Sequence, residues 1–419
     1  MIIMKLFSKL KFLYSKSIIH SVIPAILLSL SVGQIYAFTL FSSPITDRLS
    51  CPQSLIQFTF SLGIFFLGMG ASFFGRIVEK HLKLSTIIGT SLFILGLFVS
   101  HLAIITSSLL LLYIGYGVMV GLGTGIIYIT PVKTMMLWFP NKKALASSIP
   151  IIGFGLGSSL CTVIHNMLSY CMTPDMMFSF LAIIYLIMMV IGSLLLKKPT
   201  NTNIVSDTSK EITDNKMSLI DIFTNKTFWL LWGWMLINIS AGLALIPLAK
   251  QVLTSTNASI SIISYTLIAM GFMNGFGRYI FAYVSDKLRL REEILSYIGN
   301  VLIFSFPLFF FFRDDTMLSI PALILVATCC YGAGFSVIPS IVYKIFGVNN
   351  TSTVHGLVLS AWGIAGLIGN QIGLYLFEHG GYIGLIIVLY IVHIINFGVF
   401  ANLICLNGIK NDIKKKYGF

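Results

Sequence analysis

Charged side chains are scarce in this chain. Only 10% of the 419 residues are Asp, Glu, Lys or Arg, whereas 57% are hydrophobic. Water-soluble domains carry about 25% charged residues, so this chain has too few of them to cover a folded surface in water. The scarcity excludes an ordinary soluble protein and indicates that lipid surrounds most of the chain.

Motifs for metal binding, nucleotide hydrolysis and catalysis are missing as well. The six cysteines form no CxxC pair and no metal-type cluster, so we expect them to pack between helices and expect no metal or cofactor. No GxxxxGK[ST] sequence occurs, which argues against an ATP-driven pump built from this chain alone. The seven histidines are scattered and form no catalytic constellation. We therefore predict a protein that is not an enzyme.

Long apolar stretches, by contrast, are abundant. Each is long enough, at about 20 residues, to cross roughly 30 Å of hydrocarbon as a helix. None shows the alternation of an outer-membrane strand, and a helix satisfies its own backbone hydrogen bonds in lipid. We predict an all-α integral membrane protein with twelve transmembrane helices. The predicted spans are 18 to 40, 53 to 75, 85 to 105, 109 to 137, 144 to 169, 176 to 196, 227 to 250, 259 to 284, 293 to 312, 318 to 344, 353 to 377 and 382 to 406.

Basic residues indicate the orientation of these spans. With the N-terminus in the cytoplasm, 22 of the 27 Lys and Arg residues fall in cytoplasmic segments, and only Arg48 and Arg313 fall on the opposite side. Cytoplasmic loops are enriched in Lys and Arg, so the asymmetry predicts that both termini are cytoplasmic. The net charge of +13 therefore indicates that the cytoplasmic face contacts the lipid bilayer. We expect no nucleic-acid partner. We expect a multi-pass protein of the inner (plasma) membrane.

The predicted spans form two halves. The longest polar stretch supplies a cytoplasmic linker, 197–226, between an N-terminal six-helix bundle, 1–196, and a C-terminal six-helix bundle, 227–419. FFGRIVEK in the first half aligns with IFAYVSDK in the second at an offset of 207 residues. Internal repeats of this kind are typical of secondary transporters that hold the substrate between the halves. We predict alternating access by rocking of one half against the other.

Acidic residues are absent from the depth of every predicted span. A proton relay built on a buried carboxylate is therefore not expected. Cation symport and export of organic cations also favour a buried acid, so they are disfavoured for the same reason. The pattern favours an anion exchanger or uniporter.

The loop segments resemble a known family. GRYIFAYVSDKLRLRE resembles the loop signature of the major facilitator superfamily, and FFGRIVEKHLK resembles a degraded first-half copy of it. Four segments are similar to the oxalate/formate antiporter family and, more distantly, to the monocarboxylate transporters: VGQIYAFTLF, GLGTGIIYITPVKTMMLWFPNKKALASSIPIIGFGLGS, MGFMNGFGRYIFAYVSDK and VHGLVLSAWGIAGLIG. The resemblance covers essentially the whole chain. It implies the twelve-helix major facilitator fold of two pseudo-symmetric bundles, with a gating role for Gly75, Arg76, Asp286 and Lys287.

Arg278 is the most informative residue of the sequence. It lies about nine residues, or roughly 14 Å of helix, from the predicted cytoplasmic Lys287 and therefore near the middle of the membrane. A charge at that depth is costly unless it meets water, a partner or an anionic ligand, and the guanidinium fork suits a carboxylate. Asn274 lies four residues earlier on the same helical face. The resemblance implies that Arg278 is the family's substrate-binding arginine, and it implies an aspartate where this chain has Asn274.

The resemblance also implies a second cationic position in the eleventh span, where this chain has Trp362. A dianion normally needs two cationic contacts to offset its desolvation. Loss of one of these cationic contacts favours a monoanion over oxalate as the substrate. Lys133, in the fourth span, is a candidate for the second charge, although its side chain is also close enough to the predicted cytoplasmic interface to extend there.

Other polar and aromatic residues match or neighbour the family's binding positions. A wall of aromatic rings would hold the apolar part of a small carboxylate, while tyrosine hydroxyls donate hydrogen bonds. The candidates are Gln34 and Tyr36 in the first span, Tyr128 in the fourth, and Tyr331 and Phe335 in the tenth.

Together these features predict a secondary active transporter of small organic anions, such as lactate, pyruvate or formate, that works as a monomer by exchange or uniport. The alternatives are an oxalate/formate antiporter, an exporter of larger amphipathic anions or drugs, and a sensor that has the same fold and does not transport. No metal is expected at the site.

Overall fold

The computed structural model describes residues 16–139, 143–199, 217–288, 316–347 and 350–417, and the regular structure in these ranges is entirely helical. The helices are α1 (Ile18–Ala37), α2 (Thr39–Leu49), α3 (Gln53–Phe73), α4 (Gly75–Lys80), α5 (Leu82–Ile105), α6 (Leu109–Trp138), α7 (Lys143–Leu168), α8 (Pro174–Leu195), α9 (Leu219–Phe223), α10 (Lys226–Leu245), α11 (Ala249–Ser255), α12 (Ile260–Leu288), α13 (Thr316–Phe346) and α14 (Thr351–Tyr417). We call α1 to α8 the N-terminal helices and α9 to α14 the C-terminal helices.

Ten of the described helices are long and apolar enough to cross a membrane. They lie at the predicted positions, so the all-α membrane architecture is confirmed. The predicted ninth span, 293 to 312, lies outside the described residues. The predicted eleventh and twelfth spans both fall within α14. The total of twelve spans therefore stays a prediction.

Helix α14 contains a sharp break at Gly381. Its backbone has φ +60° and ψ −168°, which is a conformation that glycine adopts without steric cost. A Cβ atom at Gly384 would lie 3.9 Å from the Leu376 carbonyl oxygen, so the chain turns back on itself here. The break coincides with the predicted connection between the last two spans, at 377 to 382.

The first spans of the two halves end earlier than predicted. Helix α1 ends at Ala37 in a 3₁₀ turn, and α10 ends at Leu245, where Pro247 follows. Proline lacks an N–H and cannot continue the helical ladder. The Thr39 hydroxyl donates a hydrogen bond to the Pro247 carbonyl at 2.7 Å, so the two breaks meet between the N-terminal and C-terminal helices.

Glycines allow the N-terminal and C-terminal helices to approach closely. A Cβ atom at Gly68 of α3 would lie 2.3 Å from the backbone nitrogen of Gly363 in α14. A Cβ atom at Gly155 of α7 would lie 2.7 Å from the backbone nitrogen of Gly275 in α12. Small residues at such positions let helix backbones touch in lipid, where no hydrophobic force drives them together. The second contact brings α7 against the part of α12 that carries Arg278.

Candidate functional site

Arg278 is fully buried in the interior of the helix assembly. Its Nε atom donates a hydrogen bond to Asn274 Oδ1 at 2.8 Å, as the spacing of four residues on α12 allows. Its terminal nitrogens, Nη1 and Nη2, have no hydrogen-bond partner among the described residues. Asn274 therefore orients the guanidinium and leaves its two-pronged end for an acceptor.

Six aromatic side chains surround this guanidinium, and we call them with Arg278 the arginine chamber. The Arg278 Cζ atom lies 4.7 Å from the ring centre of Phe335 and 5.5 Å from that of Phe154. Cations at such distances are attracted to the faces of aromatic rings. The six are Tyr36 of α1, Tyr128 of α6, Phe154 of α7, Tyr331 and Phe335 of α13, and Trp362 of α14.

The rings of the chamber connect the N-terminal to the C-terminal helices at two places. The Tyr36 and Tyr331 hydroxyls are hydrogen-bonded at 2.7 Å. Trp362 packs against Tyr128, with ring centres 5.3 Å apart, and against Phe335 at 4.5 Å. All six rings are at most 5% exposed. The chamber is therefore enclosed by contacts between the two sets of helices.

Hydrogen-bond donors outnumber acceptors in this chamber. In the described part of the chain, the indole Nε1 of Trp362 and the two terminal nitrogens of Arg278 are buried without a well-formed hydrogen bond. The Tyr331 hydroxyl lies beside Trp362, and the Tyr128 hydroxyl lies beside Arg278. No acidic side chain among the described residues pairs with Arg278. Guanidinium and indole N–H groups donate and do not accept, so the chamber suits a ligand rich in acceptor oxygens and negative charge.

A narrow cavity adjoins the chamber. Tyr36, which belongs to the chamber, and Asn274, which bonds Arg278, both line this cavity. From there the cavity follows α12 through Gly271 and Met270 to Leu267, toward the end of the helix that is predicted to face outward. Its remaining walls come from α1, α2, α7 and α13 and from Ile246, so it too lies between the N-terminal and C-terminal helices.

Gln34 lies elsewhere than predicted. Its Nε2 atom donates a hydrogen bond to the Tyr116 hydroxyl at 3.4 Å, and that hydroxyl donates to the Ile35 carbonyl, within the N-terminal helices. Gln34 and Tyr36 lie in a 3₁₀ turn, where two positions differ by about 240° around the axis. The two side chains therefore point to different sides, and only Tyr36 reaches the arginine chamber.

Lys133 is also absent from the chamber. Its Nζ atom donates a hydrogen bond to the Gly75 carbonyl at 2.8 Å, and the side chain is half-buried. This carbonyl belongs to the first residue of α4, at the predicted cytoplasmic end of α3. Lys133 therefore lies outside the arginine chamber in this structure, because its long side chain extends toward the predicted cytoplasmic loop.

We predict that Lys133→Met leaves the KM for a transported carboxylate within about twofold of wild type, or about 0.4 kcal/mol, because its Nζ atom bonds the Gly75 carbonyl outside the arginine chamber. Uptake kinetics in proteoliposomes would check this. A large rise in KM with unchanged kcat would instead return Lys133 to the substrate site.

The remaining loop-motif residues are placed only by their backbone. Arg76 lies in α4, and Asp286 and Lys287 lie in the last turn of α12. Their side chains are outside the part of the structure that is described, so their gating role stays a prediction.

Phe154 is the chamber residue that sequence reasoning missed. It lies between Gly153 and Gly155 in a segment that reads as helix packing. In the structure it contacts Tyr36, Tyr128 and Trp362 as well as Arg278. The available signal was a single bulky aromatic residue between glycines in a segment that matched the family.

Comparisons with known proteins cover most of the chain. The family model described as Major Facilitator Superfamily matches residues 22–370. The uncharacterized MFS-type transporter YhjX of Escherichia coli is 26% identical over 83% of this chain and 85% of its own length. The oxalate:formate antiporter of Oxalobacter formigenes is 21% identical over 84% of this chain and 83% of its own length. Apicoplast pyruvate carrier 1 of Toxoplasma gondii is 23% identical over 59% of this chain and 56% of its own length. The resemblance noted in the sequence is thereby confirmed.

Proposed function

Because the chain belongs to the major facilitator superfamily, we propose that it is a secondary transporter of small organic monocarboxylates and that Arg278 binds their carboxylate. Lactate, pyruvate and formate are the candidate substrates. The observation that carries this proposal is the fully buried guanidinium of Arg278, whose Nη1 and Nη2 atoms have no partner among the described residues.

An anion explains this buried cation better than a structural role does. A structural arginine in a membrane protein is expected to spend its donors on helix carbonyls or acids, because unsatisfied buried charged groups are costly. Among the described residues, Nε of Arg278 is hydrogen-bonded to the side-chain amide of Asn274, and neither terminal nitrogen bonds a helix carbonyl or an acid. A carboxylate supplies two oxygens in the plane of the guanidinium fork and can bind both terminal nitrogens.

A small monoanion fits the rest of the chamber. The described chamber contains one cation, and the position where a second was expected from the resemblance holds neutral Trp362. The six rings pack with neighbouring centres 4.5 to 6.0 Å apart, which favours a short substrate. Relatives named as an oxalate:formate antiporter and a pyruvate carrier point to small carboxylates as the broader substrate class.

The two ring contacts suggest how access alternates. The Tyr36–Tyr331 hydrogen bond lies next to the cavity that extends toward the predicted outer side. Tyr128 and Trp362 lie nearer the predicted cytoplasmic ends of their helices. Breaking the Tyr36–Tyr331 contact would expose Arg278 to the outer side of the membrane. Breaking the Tyr128–Trp362 contact would expose it to the cytoplasmic side. The proposal also includes transport by exchange or uniport, a monomeric state and location in the plasma membrane.

The experiment is uptake and counterflow in proteoliposomes with radiolabelled pyruvate, lactate, formate and oxalate, and with taurocholate as a larger amphipathic anion. We expect saturable flux of at least one monocarboxylate, faster than that of oxalate or taurocholate. Oxalate as the fastest substrate would favour an oxalate/formate antiporter, and taurocholate would favour an exporter of larger anions. Binding of a monocarboxylate without any flux would favour a sensor.

A further inference from the structure

Gly332 of α13 lies directly against the side chain that orients Arg278. A Cβ atom at this position would lie 2.7 Å from the side-chain oxygen of Asn274, Oδ1, and closer still to the backbone oxygen of the same residue. Real Cβ atoms do not approach other atoms so closely. The same Oδ1 atom accepts the hydrogen bond from Arg278 Nε at 2.8 Å. The absence of a side chain at Gly332 therefore leaves room for the atom that orients the guanidinium.

A second glycine contact holds the same two helices together next to Arg278. A Cβ atom at Gly277, the residue before Arg278, would overlap the backbone oxygen of Cys329 in α13. Along each helix, this contact lies about one turn from the contact of Gly332 with Asn274. Small residues let helix backbones pack this closely in lipid, and backbones that touch at two places are fixed relative to one another. The position of Asn274 is therefore set by α13.

The hydrogen bond to Nε decides which edge of the guanidinium a carboxylate can bind. An arginine can present N–H groups to a carboxylate side-on, from Nε and one terminal nitrogen, or end-on, from both terminal nitrogens. In this structure Asn274 occupies Nε, which blocks the side-on edge. The end-on edge is buried without a well-formed hydrogen bond in the described part of the chain, close to the rings of Phe154 and Phe335. End-on binding is therefore the mode that this arrangement leaves for a carboxylate.

We propose that Gly332 is a positioning residue for the substrate site, a role that rests on the function proposed for Arg278. Because it has no side chain, it holds the Asn274 amide against Nε and so presents the guanidinium end-on to the carboxylate. Glycine inside a helix lowers stability relative to alanine, and the contact with Asn274 is a physical reason for a glycine here. A larger residue would push Oδ1 away from Nε. The guanidinium would then lose its fixed orientation before the substrate arrives, which weakens binding.

Nitrogen NMR of the arginine side chains measures this orientation without any transport. The full chain, isotopically labelled at arginine Nε and placed in nanodiscs, should show a slowly exchanging Nε–H signal that disappears in Arg278→Gln. Saturating pyruvate should leave this signal nearly in place, because the carboxylate binds the terminal nitrogens. Gly332→Ala and Asn274→Ala should both shift the signal, because one displaces the acceptor of the Nε hydrogen bond and the other removes it.

Equilibrium binding of pyruvate should depend on the same contact. We expect Gly332→Ala to raise the Kd by about tenfold, which is about the effect of one lost hydrogen bond, and Asn274→Ala to raise it similarly. In the Asn274→Ala background, Gly332→Ala should change the Kd by less than about twofold, because residues that act through one contact are not additive. Gly233→Ala is the matched control, since a Cβ atom there would meet nothing within 4 Å. It should leave both the Kd and the Nε signal unchanged.

Overpacking by one methyl group usually lowers stability without preventing folding, so we expect Gly332→Ala to fold with a lower Tm. Failure to fold would make Gly332 a packing residue and overturn its positioning role. So would an equal loss of pyruvate affinity with and without Asn274, or a shift of the Nε signal by pyruvate as large as that in Asn274→Ala. Loss of binding in Arg278→Gln would leave the proposed function standing in each case. Absence of carboxylate binding by wild type contradicts the proposed function itself.

Discussion

Arg278→Gln is expected to weaken pyruvate binding by about 100-fold or more and to abolish measurable uptake. Each hydrogen bond between a charged donor and a carboxylate contributes about 1.5–3 kcal/mol, and the bidentate contact has two of them. At about 1.4 kcal/mol per tenfold, losing both gives a factor of at least about 100. Equilibrium binding and proteoliposome uptake of radiolabelled pyruvate would measure it.

This variant should fold, because the charge that it removes has no acidic partner in the described structure. Thermal unfolding of the purified protein should therefore show a Tm no lower than that of wild type. Arg278→Lys keeps the positive charge but loses the guanidinium fork, so we expect a partial loss of pyruvate binding and uptake. Arg48→Gln is the matched control at an exposed position. Unchanged carboxylate transport by folded Arg278→Gln would refute the role of Arg278 as anchor.

Trp362→Lys is expected to change the substrate preference from a monoanion toward oxalate. The substitution places a second cation beside Phe335 and Phe154, the two rings that also flank Arg278. The two negative charges of a dianion are then offset by the two cationic side chains, Arg278 and the introduced lysine. The added charge-assisted hydrogen bond, at about 1.5–3 kcal/mol, predicts a gain in oxalate affinity of about tenfold or more. Competition between oxalate and pyruvate for binding would measure the change.

Two further tryptophan variants separate charge from shape. Trp362→Phe keeps the aromatic wall and removes the indole N–H, so we expect pyruvate affinity to fall by about tenfold, as loss of one hydrogen bond to an anion implies. Trp229→Lys makes the same change at a half-exposed tryptophan of α10, whose Nε1 donates to the Phe223 carbonyl, and should gain no oxalate affinity. If Trp362→Lys stays folded and gains none either, Trp362 does not determine the charge of the substrate.

Much of the fold could be predicted because lipid imposes a strong pattern. Helices must be apolar and long, and the ten described spans lie where the hydropathy predicted them. The exceptions are local. Helices α1 and α10 end before their apolar stretches do, since a 3₁₀ turn and Pro247 interrupt the helical ladder without changing hydropathy.

Less of the site could be predicted, and the reason differs from residue to residue. Asn274 and Arg278 form a pair within one helix, and their contact follows from the helical repeat. Tyr36 and Tyr331 are 295 residues apart, so their hydrogen bond depends on how two helices meet. The position of Gln34 could not be predicted because its direction depends on the local winding of α1, and that of Lys133 could not because a long flexible side chain can reach several partners.

The amino-acid sequence by itself determined that this is a helical membrane protein with one arginine deep in an interior that lacks acids, because burial of charge is so costly in lipid that a single residue carries a clear meaning. Only the tertiary structure decided what surrounds that arginine. Phe154 becomes a neighbour of Arg278, Tyr36 and Trp362 through the rotation of each helix about its axis and the close approach that glycines allow, and neither can be read from hydropathy.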